Sequence, residues 1–66
     1  MNKYEVYVLG MWADDMFEET EFEDVIECEG ELTIERLEEY RLELAENGLH
    51  GISILVNIDG EWKEGI

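Results

Sequence analysis

Apolar and polar positions alternate with a period of two in three stretches of this chain, and with a spacing of three to four in one. In residues 3–9, Tyr4, Val6 and Val8 share one face while Glu5 and Tyr7 share the other, which predicts a first strand ended by Gly10. Residues 11–20 read as a loop, mixing Met11, Trp12, Met16 and Phe17 with Asp14, Asp15, Glu18 and Glu19. Alternation returns in residues 21–31. Phe22, Asp24, Ile26 and Cys28 fall on one face, and Glu21, Glu23, Val25, Glu27, Glu29 and Glu31 on the other, predicting a second strand with Gly30 near its end.

The spacing then changes. Thr33 is a good N-cap, Glu35 suits the positive end of the helix dipole, and Ile34, Leu37, Tyr40, Leu44 and Ala45 form one apolar stripe. Asn47-Gly48 stops this helix, with Gly48 suited to the left-handed position and Leu49 able to fold back on the last turn. Ile52, Ile54, Val56 and Ile58 alternate with Ser53, Leu55 and Asn57 in the clearest strand of the chain. Asp59-Gly60 turns into a short last strand, residues 61–66. A three-residue loop would set Trp62 on the face of Val56, and a two-residue turn would set it on the other face. Tyr4, Tyr40 and Trp62 are expected in the core or at its edge. The order β-β-α-β-β predicts an α+β fold, a small, mainly antiparallel four-stranded sheet with one helix packed on one face.

Length allows one domain, residues 1–66, whose core is marginal because a chain of this size buries only about 60% of its unfolded surface. Hydrophobic residues make up 45% of it, which separates the chain from disordered acidic tails. Charge changes the picture most. Nineteen Asp and Glu stand against four Lys and Arg, a formal charge of −15. Direct nucleic-acid binding is excluded, since phosphate contacts need basic side chains. No apolar run approaches the ~18 residues of a membrane span, no signal-peptide pattern is present, and Cys28 has no second cysteine to pair with. The expected location is the cytoplasm, the host cytosol if the gene belongs to a phage.

The acids are also placed unevenly. No basic residue occurs between Lys3 and Arg36, and ten acids crowd residues 14–31. On a strand, side chains of one face recur every ~6.8 Å, so Glu21, Glu23, Glu27, Glu29 and Glu31 form a ladder of carboxylates. Glu35, Glu39, Glu43 and Glu46 lie on the helix side opposite its apolar stripe. Glu35–Glu39 and Glu39–Glu43 are i,i+4 like-charge pairs that cost an isolated helix roughly 0.2–0.5 kcal/mol each. Solubility alone needs a net charge of only about 2–8. Two anionic rows are therefore expected to imitate nucleic-acid phosphates before a basic protein surface.

By its size and by the run Asp14-Asp15, Glu18-Glu19, Glu21, Glu23-Asp24, Glu27, Glu29 and Glu31, the chain resembles the small acidic DNA-mimic inhibitors encoded by phages. These include anti-CRISPR, anti-restriction and repair-enzyme inhibitor proteins. The resemblance implies a target that is a basic nucleic-acid-binding protein, such as a CRISPR effector, a restriction or repair enzyme, or a nuclease. It also implies no enzymatic activity and no cofactor. The expected contact residues are Asp14, Asp15, Glu18, Glu19, Glu21, Glu23, Glu27, Glu29 and Glu31, then Glu35, Glu39 and Glu43, on a monomer or small homodimer. Trp12 is either an interface anchor or a cap on the core.

Two readings from other classes compete: an antitoxin or immunity protein that blocks a basic nuclease, and an acidic structural domain of a halophile. Catalysis finds no footing. His50 is the single histidine, with no Ser-His-Asp or Cys-His spacing around it, and Cys28 reads as a small buried hydrophobe. Asp14, Asp15, Glu18 and Glu19 do not match a calcium loop, so no metal site is assigned.

Overall fold

The computed structural model of the chain describes residues 1–13 and 18–66. Its elements are β1 (Asn2–Trp12), β2 (Glu18–Cys28), α1 (Ile34–Glu46), β3 (Leu49–Ile58) and β4 (Glu61–Glu64). The four strands form one antiparallel sheet in the order β2-β1-β3-β4, with α1 packed on one face, as the alternation and the helical stripe predict. β2 and β3 do not pair with each other. Both pair with β1, so the segment carrying α1 crosses over the central strand.

Even-numbered residues of β1 and β2 turn toward the helix. Val6, Val8, Ile26, Ile54 and Val56 from the sheet, Leu37 and Tyr40 from the helix, and Leu49 are buried together. Burial of such side chains stabilises by roughly 1.5–3 kcal/mol each. Thr33 caps α1 by accepting from the Arg36 backbone N–H at 3.2 Å, and Gly48, at φ 102°, donates to the Ala45 carbonyl at 3.0 Å. Ile34 departs from the expected stripe. It sits in the first turn, at the rim of an open hollow that Val56 and Ile58 also line, and remains 60% exposed; Ala45, in the last turn, is exposed as well.

Gly10 does not end the first strand. β1 runs on to Trp12, and β2 begins at Glu18 and stops at Cys28, so the expected loop is short and the expected second strand shifts toward the N-terminus. Gly10 serves a close approach instead. A Cβ there would lie 2.9 Å from the Leu49 side chain. Opposite Gly10, Gly51 and Ile52 form a bulge in β3, with Gly51 in the left-handed region at φ 61°. The extra residue reverses the alternation of β3, which brings Leu49 onto the helix side with Ile52, Ile54 and Val56. Asp59 and Gly60 both have positive φ, 52° and 85°, which makes a two-residue hairpin turn and opposes Trp62 to Asn57.

Asp24 lies on the helix side of the sheet, exposed on the outer strand β2. Its carboxylate accepts the Tyr40 hydroxyl at 2.7 Å through Oδ2 and the Val25 backbone N–H at 2.8 Å through Oδ1. Burial, then the bond to Asp24, holds the Tyr40 hydroxyl well above the ordinary tyrosine pKa of 10.0. Tyr40→Phe is expected to cost about 1–2 kcal/mol at pH 7, the order of a hydrogen bond to a charged acceptor. The folded form keeps a proton that the unfolded form releases above pH 10, so wild-type stability falls as pH rises beyond that point. Denaturant melts at pH 7 and pH 11 should show the gap between wild type and Tyr40→Phe narrowing at the higher pH.

Candidate interaction surface

The helix covers one face of the sheet. Strand alternation sends Glu19, Glu21, Glu23, Val25 and Glu27 of β2 to the other face, which no element covers among the described residues. The register with β1 sets these carboxylates beside apolar neighbours. Glu19 opposes Met11, Glu21 opposes Leu9, and Glu23 opposes Tyr7, while Glu27 opposes Lys3. One strand further, Leu55 of β3 opposes Tyr7. Trp62 of β4 completes the row, its ring centroid 6.1 Å from that of Tyr7 in an edge-to-face arrangement at 65°. The uncovered face is therefore an acidic column on the outer strand β2 and an apolar strip on the strands beside it.

Two details give this face relief. A hollow of about 470 Å³ opens where Leu9, Met11 and the main chain of Gly10 and Gly51 meet Glu19 and Glu21. Tyr7 lies next to it. The Glu21 carboxylate beside its hydroxyl raises its pKa above 10.0, and the nearby Glu23 charge acts in the same direction.

The expected contact residues separate into groups. Glu19, Glu21, Glu23 and Glu27 share the uncovered face. Glu18 opposes Trp12 at the start of β2, on the helix side of the sheet. Glu29 and Glu31 lie beyond the end of β2 in the bend around Gly30, so the expected ladder stops at Glu27. The bend is held by Asn2, whose Nδ2 donates to the Gly30 carbonyl at 2.7 Å. Glu35, Glu39 and Glu43 are exposed on α1, away from the sheet. The two anionic rows thus face opposite sides of the molecule and do not form one double row. Asp14 and Asp15 lie outside the described residues.

Of the two readings of Trp12 the structure takes the cap on the core, and Trp62 departs from its expected place there. Continuing β1 through Gly10 keeps Trp12 on the parity of Val6 and Val8, and it packs against the core. The hairpin at Asp59-Gly60 turns Trp62 outward, where it is 43% exposed beside Tyr7. Leu55 stands here as the alternation of residues 52–58 predicts, whereas Leu9 and Met11 were not expected at this face. A signal for them exists in the sequence, because β1 is apolar at Tyr7, Leu9 and Met11 as well as at its even positions, the mark of a central strand rather than an outer one.

Little of the negative charge is compensated within the chain. The ion pairs found among the described residues are Lys3–Glu27 and Arg36–Glu39, both at 3.9 Å and both open to solvent. Arg36 also reaches β2, its Nε donating to the Glu27 carbonyl at 3.3 Å. Among the described residues, no three His, Cys, Asp or Glu side chains are grouped to hold a metal ion, and no helix is long and apolar enough to cross a membrane. Comparison with protein-family models, curated proteins and solved structures finds no match to this chain.

Proposed function

We propose that this protein is an acidic inhibitor that occupies the basic nucleic-acid-binding surface of another protein, in the manner of a DNA mimic and of the anti-CRISPR type. The observation that supports this reading most is the adjacency of the β2 carboxylate column to the Tyr7, Leu9, Leu55 and Trp62 strip. A coat of acids kept only for solvation has no need of an apolar strip within it. A partner surface needs both: charge to steer encounter, and apolar contact to hold the complex.

The mimicry is of backbone charge. Carboxylates ~6.8 Å apart from Glu19 to Glu23, interrupted by Val25 before Glu27, give at most about half the linear charge density of one DNA strand, at ~3.4 Å per phosphate. The column can therefore replace phosphates at a few positions of a basic groove, and the apolar strip supplies affinity that phosphates do not. The inhibitor acts in the cytosol, needs no cofactor and performs no catalysis. Its action is exclusion.

Competition tests this. A partner recovered on the immobilised protein should release a labelled DNA or RNA duplex as the inhibitor is added, with affinity falling steeply between 50 and 500 mM salt. A stable ternary complex with the nucleic acid fully in place would overturn the mimicry.

A further inference from the structure

An inhibitor of this kind meets its target through one face and reads particular basic side chains there. The sheet carries the features that select both. The uncovered face carries Glu5, Glu19, Glu21, Glu23, Glu27 and Glu64, with Lys3 as its cation at one corner. Two copies stacked through this face would bring a dozen carboxylates together, so its charge disfavours a second copy and favours a cationic occupant.

The chemistry of the face discriminates between cations. Tyr7 and Trp62 meet edge to face on it, with Glu21 and Glu23 beside the Tyr7 ring. Aromatic faces next to carboxylates suit a guanidinium, which is planar, stacks on rings and pairs bidentately with carboxylate oxygens. A lysine ammonium also makes cation–π contacts and hydrogen bonds, but it cannot stack a planar face on a ring or pair bidentately with a carboxylate. The neighbouring hollow has an apolar floor of Leu9 and Met11 and acidic walls at Glu19 and Glu21, a shape that takes an aliphatic stem with a cationic end.

We infer that the uncovered face of the sheet is the docking surface and that its occupant is an arginine-rich surface of a partner protein. Guanidinium groups stack on Tyr7 and Trp62, and pair with Glu19, Glu21 and Glu23. The helix row of Glu35, Glu39 and Glu43 remains outside the contact. This inference rests on the proposed function for the nature of the partner, and adds the face and the arginine preference.

The probes are deca-arginine and deca-lysine, equal in charge, titrated into the isotopically labelled protein at one ionic strength. Deca-arginine should bind at least about threefold more tightly, and its spectral shifts should cluster on Tyr7, Leu9, Glu21, Leu55 and the Trp62 indole N–H. Trp62→Ala should bring the two peptides close to parity while the protein stays folded, its melting temperature lowered by a few degrees at most through loss of the Tyr7 contact. Leu42→Ala combined with Glu39→Gln on the helix should leave the preference unchanged. Equal affinity for both peptides in the wild type, or shifts centred on Glu35, Glu39 and Glu43, would overturn the inference. So would a dimer in sedimentation at low salt that protects this face. An arginine preference on this face without displacement of nucleic acid from the recovered partner would remove the proposed function alone. Displacement with shifts on the helix would remove the inference alone.

Discussion

Glu19, Glu21, Glu23 and Glu27 changed together to glutamine should lower affinity for the basic partner by about a thousandfold, and leave the fold at least as stable as before. The four share one face, ~6.8 Å apart from Glu19 to Glu23 and about twice that from Glu23 to Glu27 across Val25, and glutamine keeps their size while removing the charge. Interfacial charge pairs couple by anything from a few tenths of a kcal/mol at an exposed rim to several when desolvated, so about 1 kcal/mol each is a moderate expectation. Four such losses make roughly three factors of ten in the dissociation constant. Glu27 should account for the smallest share, because Lys3 already stands 3.9 Å from it. The comparison set is Glu35, Glu39, Glu43 and Glu46 changed to glutamine, which removes the same charge from the opposite side of the molecule. That set should cost less than tenfold, through long-range steering alone. Equal losses from the two sets, read by calorimetry against the recovered partner, would mean that net charge matters and its placement does not.

The contrast between those sets depends on a division that the sequence shows only in part. Each element was legible from local pattern: the alternation of residues 52–58, the Thr33 cap, the Gly48 stop and the Asp59-Gly60 turn all stand where the periodicity puts them. What local pattern does not carry is the packing that selects between readings of one residue. A glycine after an apolar alternation reads as a terminator, yet Gly10 is required mid-strand because Leu49 leans over it. That single substitution of role moves Trp12 into the sheet, shortens the loop and sets the parity of its side chain. The acidic ladder was legible as far as Glu27, its last member before β2 ends at Cys28. The separation of the helix row from the strand row follows from the sheet's lying between them, a relation between layers that no single window of sequence contains. The apolar strip is a relation of the same kind. Tyr7, Leu55 and Trp62 belong to three strands and become neighbours through the order β1-β3-β4.

Salt should raise the melting temperature of the free protein by about 5–10 °C between 10 mM and 0.5 M sodium chloride. Fifteen uncompensated negative charges are confined here to a radius of gyration of 12.0 Å. The unfolded chain would expand to about 25 Å and relieve much of their repulsion, so self-repulsion acts against the folded form. At 10 mM salt the screening length is about 30 Å, comparable with the 37 Å length of the molecule, and every charge acts on nearly every other. At 0.5 M it falls to about 4 Å, less than the ~6.8 Å between neighbours on the acidic column, and the repulsion is largely removed. A gain of 1–2 kcal/mol is a modest share of that change, and for a domain of this size about 1 kcal/mol corresponds to 4–8 °C. A basic partner should raise the melting temperature further, because it binds the folded form alone and neutralises the column directly. A halophilic protein responds to salt in the same direction but needs molar concentrations to fold. This chain should fold cooperatively at 10 mM, since its buried cluster of Val6, Val8, Ile26, Leu49, Ile54 and Val56 forms without help from the charges. Calorimetric scans across that range check both statements. A melting temperature independent of salt would mean that the carboxylates are paired within the protein, against the two exposed ion pairs at 3.9 Å, and would remove the electrostatic ground on which the docking face stands.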